Sequence, residues 1–444
     1  MTDSHPQKTS LGGAHDMSGA NTLTMRPPGR APSSFALSLL VSPLNNDRVF
    51  AFLFCLSFVP FVRFNYTLAS TVWDSLIQGI PQLLLIALSV LFASFQLTFR
   101  SNAIMAFGAA ICIAASQACG VVHSPASQKN FVTPATFALL LLLGPIFTSF
   151  SVKIDAPSRG EYIAQIGKIV LALLSLECVL RYAFSPYIRS QEIIDQYGIT
   201  VIHEDWFYQY KQSLMFSDSN AVGIALLCLI AVMLVYRRHF RGRHLILAYC
   251  LVLATISRAS IIAAVFQYAI YKFWRRRRLL VGGLIFSSPL IVYYLLRSYI
   301  NGDPNLNSLA DRSFLSKLYM LQSMIDIFQR ADIAQHLFGI GSGNTQYLAG
   351  MAAHNIIVVF VLELGVVGSA ALIAYVWFLA RKSPVAFSLL IVPLVINGFS
   401  LFLTTSPFMY VTLGFLGTVT TKELYMPLPG GPAPPTRNSR RTLP

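Results

Sequence analysis

Long apolar runs alternate with short basic connections along most of this chain. Apolar stretches occupy about residues 48–62, 75–99, 103–123, 133–152 and 162–184. Others cover 219–236, 244–257, 259–274, 279–296, 354–380, 385–404 and 408–419. A bilayer hydrocarbon core of roughly 30 Å takes about 20 helical residues. The pattern therefore predicts an all-α, polytopic membrane bundle of about 12 transmembrane helices over residues 33–420. Two longer polar segments interrupt it, at 185–218 and 297–351. In the second, KLYMLQSMIDIFQ carries apolar residues at helical spacing, so a partly helical cap is expected there. Residues 1–32 and 421–444, rich in small residues and proline, lack that periodicity and are expected to be disordered tails.

Composition and charge sharpen this picture. The chain is 55% hydrophobic and only 11% charged, where soluble domains carry about 25% charged residues. Mean hydropathy is +0.60. A net charge of +15 raises the question of nucleic acid, but its placement argues against that partner. With the N-terminus inside, the internal loops hold Arg100, Lys153, Arg159, Arg237, Arg238, Arg241, Arg243, Arg275–Arg278, Arg381 and Lys382. Short basic loops face the cytoplasm, which predicts that both termini are cytoplasmic and that both long polar segments lie outside. The six cysteines, with no CxxC among them, read as small core residues and not as a disulfide or metal framework. No cleavable signal peptide is expected, because the first apolar run begins only near Val49. No internal repeat stands out, which weakens an inverted-repeat transporter reading.

The candidate chemistry sits at the outer side. Arg258 lies 15 positions after Arg243 and 17 before Arg275. At 1.5 Å per residue these arms reach about 22 and 26 Å, short of the core thickness. The hairpin tip, Ser257-Arg258, is therefore expected below the surface in a wet cavity. A structural ion pair or a snorkelling side chain is the alternative. Arg312 follows in SLADRSF, and Lys211 precedes the re-entry at Phe216–Asn220. Guanidinium forks suit pyrophosphate. Arg297, Lys317 and Arg330 read as solvated loop charges.

His354 opens the tenth apolar run, where a helix dipole disfavours imidazolium and keeps a neutral base available near pH 7. It suits activation of a hydroxyl, although a histidine at such an interface often serves only as a satisfied polar residue. Asn355 beside it suits capping or a substrate hydroxyl. Gly339-x-Gly341-x-Gly343 lacks GK[ST] and a preceding strand, so it is expected to supply φ > 0 turns that bring backbone close to a ligand or another helix. Glu177 pairs naturally with Arg181 one turn away. Glu363 lies nine residues beyond His354, too far for direct contact. No DxD pair stands beside a histidine, so no metal and no cofactor are expected.

Three segments together resemble the bacterial O-antigen polymerase and O-antigen ligase superfamily: FSDSNAVGIALL, ATISRAS and GIGSGN…HNIIVVFVLELGVVG. The motif resemblance covers about 211–368. The family pattern before the sixth span resembles Arg-x-x-Gly-x-Phe-x-Asp-Pro-Asn, and here Lys211, Leu214 and Ser219 stand at its Arg, Gly and Pro places. The resemblance implies a multi-spanning inner-membrane glycosyltransferase with its active site facing the periplasm and an undecaprenyl-diphosphate-linked glycan as donor. It implies that Arg258 and Arg312 hold the diphosphate and that His354 activates the acceptor hydroxyl, with inversion and without metal. Lys211, Asn220, Asn355, Gly341 and Gly343 are the implied substrate contacts. The expected product is an extended O-antigen or exopolysaccharide chain on a second lipid-linked repeat unit, with a chain-length regulator as a further partner. Transfer to lipid A–core, as in a ligase, is the alternative, although the FSDSN segment leans towards polymerase. A transporter of lipid-linked sugars is the reading from another class.

Overall fold

In the computed structural model the apolar runs form helices, with no strand among the described residues. Those are 46–58, 83–91, 101–124, 131–153, 156–188, 210, 213, 215–216, 218–301, 312–349, 353, 355–402 and 404–419. The expected tails, Lys211 and His354 lie outside them. In chain order the helices are α1 (Asn46–Phe58), α2 (83–91), α3 (Ser101–His123), α4 (Val132–Leu140), α5 (Leu143–Lys153) and α6 (Ala156–Ile188). Next come α7 (Ser219–Val235), α8 (Gly242–Ala254), α9 (Arg258–Lys272), α10 (Arg277–Ile300), α11 (Arg312–Arg330) and α12 (Ile333–Phe338). The last five are α13 (Thr345–Ala349), α14 (Ile356–Val358), α15 (Gly365–Ala380), α16 (Pro384–Gly398) and α17 (Pro407–Leu416).

α7 is the axis. Its sequence is apolar on every side, and all 17 of its residues are buried. Helices α6, α8, α9, α16 and α17 surround it. A helix without a polar face belongs in such a position. α10 is its opposite: none of its residues is buried, and Phe286 is 79% exposed. Its apolar exterior suits contact with lipid.

The expected count of about 12 spans is met only in part by the helices of the described residues. Among the described residues four helical segments are long and apolar enough to cross a membrane: Ser101–His123, Val132–Ser149, Gly160–Phe184 and Trp274–Ile300. Other apolar helices run only 10–17 residues. The shortening has a pattern. α7 starts at the cap Asp218, α8 and α9 stop on either side of Thr255–Ser257, and α16 ends at Gly398. These ends meet, as described below, so the missing helical length is taken up by polar turns at one end of the bundle. The basic turns Arg237–Arg243, Arg275–Arg278 and Arg381–Lys382 lie at the opposite ends of the same helices.

The expected continuous helix over 354–380 is broken. Asn355 caps α14, a π-helical turn follows at Val359–Glu363, and α15 restarts at Gly365 with φ +63°. The cause is long-range: the glycine loop 339–344 inserts at the break. A Cβ on Gly365 would collide with the Gly339 backbone nitrogen, and one on Gly339 with the Glu363 carbonyl. The helix expected over KLYMLQSMIDIFQ is present within α11. Its buried Leu318, Met320 and Leu321 pack on Ile340, Val358 and Leu362, covering the break.

Candidate functional site

The first part of the site is a buried chain of side chains at the hairpin tip. Asp218 caps α7, accepting from the Ala221 N–H at 2.9 Å and from Asn220 Nδ2 at 2.8 Å. Ser257 Oγ donates to Asn220 Oδ1 at 2.7 Å, which joins the FSDSN segment to the SRA tip. Ser257 also caps α9. Ser260 has one hydroxyl proton within reach of both Ser257 Oγ (2.8 Å) and Asn397 Oδ1 (2.7 Å). Asn397 donates in turn to the Leu401 carbonyl at 3.3 Å.

Two backbone details fix this geometry. Ile256 has φ +56°, a β-branched residue in the left-handed region. Such a conformation costs about 1–3 kcal/mol and persists only where its surroundings enforce it. Gly223, one turn into α7, lies so close to Ser260 that a Cβ there would meet the Ser260 hydroxyl. Gly223→Ala is therefore expected to push α9 from α7 and cost about 1–3 kcal/mol, as overpacking does. Thermal melting in detergent checks this, and an unchanged melting temperature would contradict the close approach.

The second part is the broken helix. Ile340 N–H donates to the Leu362 carbonyl (2.9 Å) and Gly341 N–H to the Glu363 carbonyl (3.1 Å), so the loop pairs with carbonyls that the π turn frees. Gly339, Gly341 and Gly343 all have positive φ, as their spacing predicts. Gln117 on α3 ties the two strands of backbone together, donating to the Glu363 carbonyl at 3.2 Å and accepting from the Ser342 N–H at 2.7 Å. The Glu363 carboxylate accepts from Thr345 Oγ1 at 2.9 Å. It acts as a clasp on the loop and pairs with no basic residue among the described ones. Irregular backbone at such depth requires this degree of internal satisfaction.

The two parts share α16. Asn355 Nδ2 donates to the Phe399 carbonyl at 3.3 Å, two residues beyond Asn397. Gly398 between them faces Ile356, at 3.2 Å from a would-be Cβ. Asn220, Ser257 and Asn355, drawn from the three segments singled out in the sequence, thus meet at the end of one helix.

The expected site residues divide accordingly. Asn220 and Asn355 are buried in this network, and Gly341 and Gly343 form the inserted loop. Arg258, expected in a sunken cavity, is exposed as the first residue of α9, while Thr255, Ser257 and Ser260 beside it are buried. Arg312 is the first residue of α11. His354 and Lys211 lie outside the described residues; Asn355, adjacent to His354, is within the network. Sequence reasoning missed Ser260, Gln117 and Asn397. The available signal was a polar side chain inside an otherwise apolar run, which marks internal partners in a membrane protein.

Behind the tip stands a buried ion pair. Arg181 Nε donates to Glu177 Oε1 at 3.1 Å, the pairing that the sequence predicts, and both side chains are fully buried. Arg181 also donates to the carbonyls of Tyr210 and Ala254, each at 2.9 Å, and Ser213 donates to Glu177 at 2.7 Å. The last residue of α8 is thereby tied to α6.

No protein-family model, curated protein or solved structure matches the chain.

Proposed function

We propose that this protein is a membrane glycosyltransferase that extends a polysaccharide from an undecaprenyl-diphosphate-linked donor. The observation that carries the reading is the meeting of Asn220, Ser257 and Asn355 at the end of α16. Three segments far apart in sequence, each resembling part of one superfamily, belong to one polar site. In this reading about twelve spans cross a bacterial inner membrane, both termini are cytoplasmic, and the site faces the periplasm. Residues 185–218 and 297–351 then cover it from outside.

The chemistry follows from the side chains. Arg258, exposed at the start of α9, and Arg312, at the start of α11, grip the donor diphosphate. Lys211 supplies a further positive charge for the diphosphate. An acceptor hydroxyl, freed of its proton by His354, attacks the anomeric carbon. The glycosyl C–O bond breaks with inversion, and the bonding pair leaves with the lipid diphosphate, whose charge the arginines stabilise. Asn220 and Asn355 fix the frame, and the Gly341–Gly343 backbone brings the loop close to the sugar. The acceptor is a second lipid-linked repeat unit, with lipid A–core as the ligase alternative.

The test supplies purified protein with a lipid-linked repeat unit, with and without lipid A–core, in EDTA. A product ladder without lipid A–core is expected. Single transfer to lipid A–core would assign a ligase, and a strict divalent-metal requirement would refute the metal-free scheme. A second reading has one observation in its favour: transporters build their sites from interrupted helices, and 354–380 is interrupted. Movement of lipid-linked sugar across proteoliposomes without new glycosidic bonds would establish it instead.

A further inference from the structure

A groove of about 790 Å³ runs between the start of α10 and helices α15, α16 and α17, from the basic turns at one end to Ile356, Phe360 and Phe402 at the other. Its walls are apolar along their length, with Ile285, Trp377, Phe387 and Val395 among them. Its mouth is cationic, lined by Arg277, Arg278 and Arg381, and no Asp or Glu lines it. The volume falls within the roughly 300–1,000 Å³ typical of small-molecule sites.

The arginines are held in place without being neutralised. Arg277 lies over the Trp274 ring at 4.3 Å and donates to the Trp274 carbonyl at 3.1 Å. Arg381 donates to Asn102 Oδ1 at 2.5 Å and lies 5.4 Å from the Phe378 ring. Neither pairs with a carboxylate among the described residues. Three guanidinium groups around one end of an apolar trough call for a ligand that is anionic at one end and hydrocarbon along the rest. A free phosphate leaves the trough empty. A second copy of this chain, at +15, meets like charge.

We propose that this groove binds an anionic phospholipid, with its phosphate at Arg277, Arg278 and Arg381 and an acyl chain along α10 and α16. The groove's far end abuts the tip network at Ile356 and Phe402, but lipid binding at the arginines does not depend on the glycosyl-transfer proposal. Gly282 lines the groove and Gly283 does not, yet a Cβ on either meets nothing within 4 Å. Gly282→Phe therefore fills the groove without disturbing the packing, and Gly283→Phe is its matched control.

The experiment uses purified full-length protein in detergent, titrated with phosphatidylglycerol or with phosphatidylcholine of the same chains. Native mass spectrometry and thermal melting are the readouts. Wild type and Gly283→Phe are expected to retain phosphatidylglycerol over phosphatidylcholine, by roughly fivefold for each arginine that meets the phosphate. Gly282→Phe is expected to lose the retained lipid, and Arg278→Gln to keep the lipid but lose part of the preference. Equal retention of both lipids by wild type would overturn the proposal, as would undiminished binding in Gly282→Phe. Displacement of the lipid by inorganic phosphate alone, or a lipid-free dimer that phosphatidylglycerol does not dissociate, would overturn it as well.

Discussion

Arg258→Ala is expected to reduce glycan extension by about 10²–10³-fold, the scale on which removing one preorganised charge-stabilising donor acts. The protein is expected to remain folded. Arg258 is exposed at the first position of α9, outside the buried packing of the bundle. The cap itself is Ser257, which the substitution leaves in place. Arg258→Lys separates fork geometry from charge: a point charge binds diphosphate without the paired donors, so intermediate activity is expected. His354→Ala removes the proposed base and is expected to lose about 10²–10⁴-fold. Glycan ladders on purified protein measure both, with melting curves as the folding control. Wild-type extension by either alanine variant would sink the mechanism.

Part of this architecture is legible in the sequence because its causes are local. An all-helical membrane bundle follows from the apolar runs, and α11 follows from the three-to-four-residue spacing of Leu318, Leu321, Ile325 and Phe328. The Glu177–Arg181 pair follows from a one-turn separation. The positive φ values of Gly339, Gly341 and Gly343 follow from their clustering. What stays hidden depends on partners far away along the chain. The segment VVFVLELGVVG reads as uninterrupted helix, and its two glycines are unremarkable there. The break at Glu363–Gly365 exists because a loop more than 20 residues upstream inserts there, held by Gln117 across 225 positions. Asn397 similarly means little until Ser260, 137 positions away, is found against it. The short helices around the tip have a related cause. Ser, Thr and Gly are close to neutral in hydropathy, and one Asn is averaged away among apolar neighbours, so a run continues through turns that the backbone has already begun. The tip network was thus announced by residue type but not by position.

Arg181 gives the largest expected effect on stability. Its guanidinium is fully buried, and it supports Glu177, Tyr210 and Ala254 at once. Arg181→Ala strands the Glu177 charge and a backbone carbonyl, so a loss of about 3–5 kcal/mol is expected, as for other broken buried pairs. Replacing both partners, as Glu177→Leu with Arg181→Met, removes the two charges together and is expected to cost far less than the sum of the single changes. A double-mutant cycle from unfolding in detergent measures that coupling. Additive single and double changes would mean that the pair contributes nothing as a pair. The double variant also isolates the tip. It is expected to fold, yet it no longer donates from position 181 to the Ala254 carbonyl that ends α8. One residue on, the turn through Thr255, Ile256 and Ser257 holds a strained φ and presents Arg258. The Tyr182 hydroxyl still donates to that carbonyl at 2.9 Å, so the tip is expected to keep one of its two ties to α6. A folded double variant with wild-type extension would mean that the tip holds itself; one with reduced extension would make the buried pair the support on which Arg258 depends.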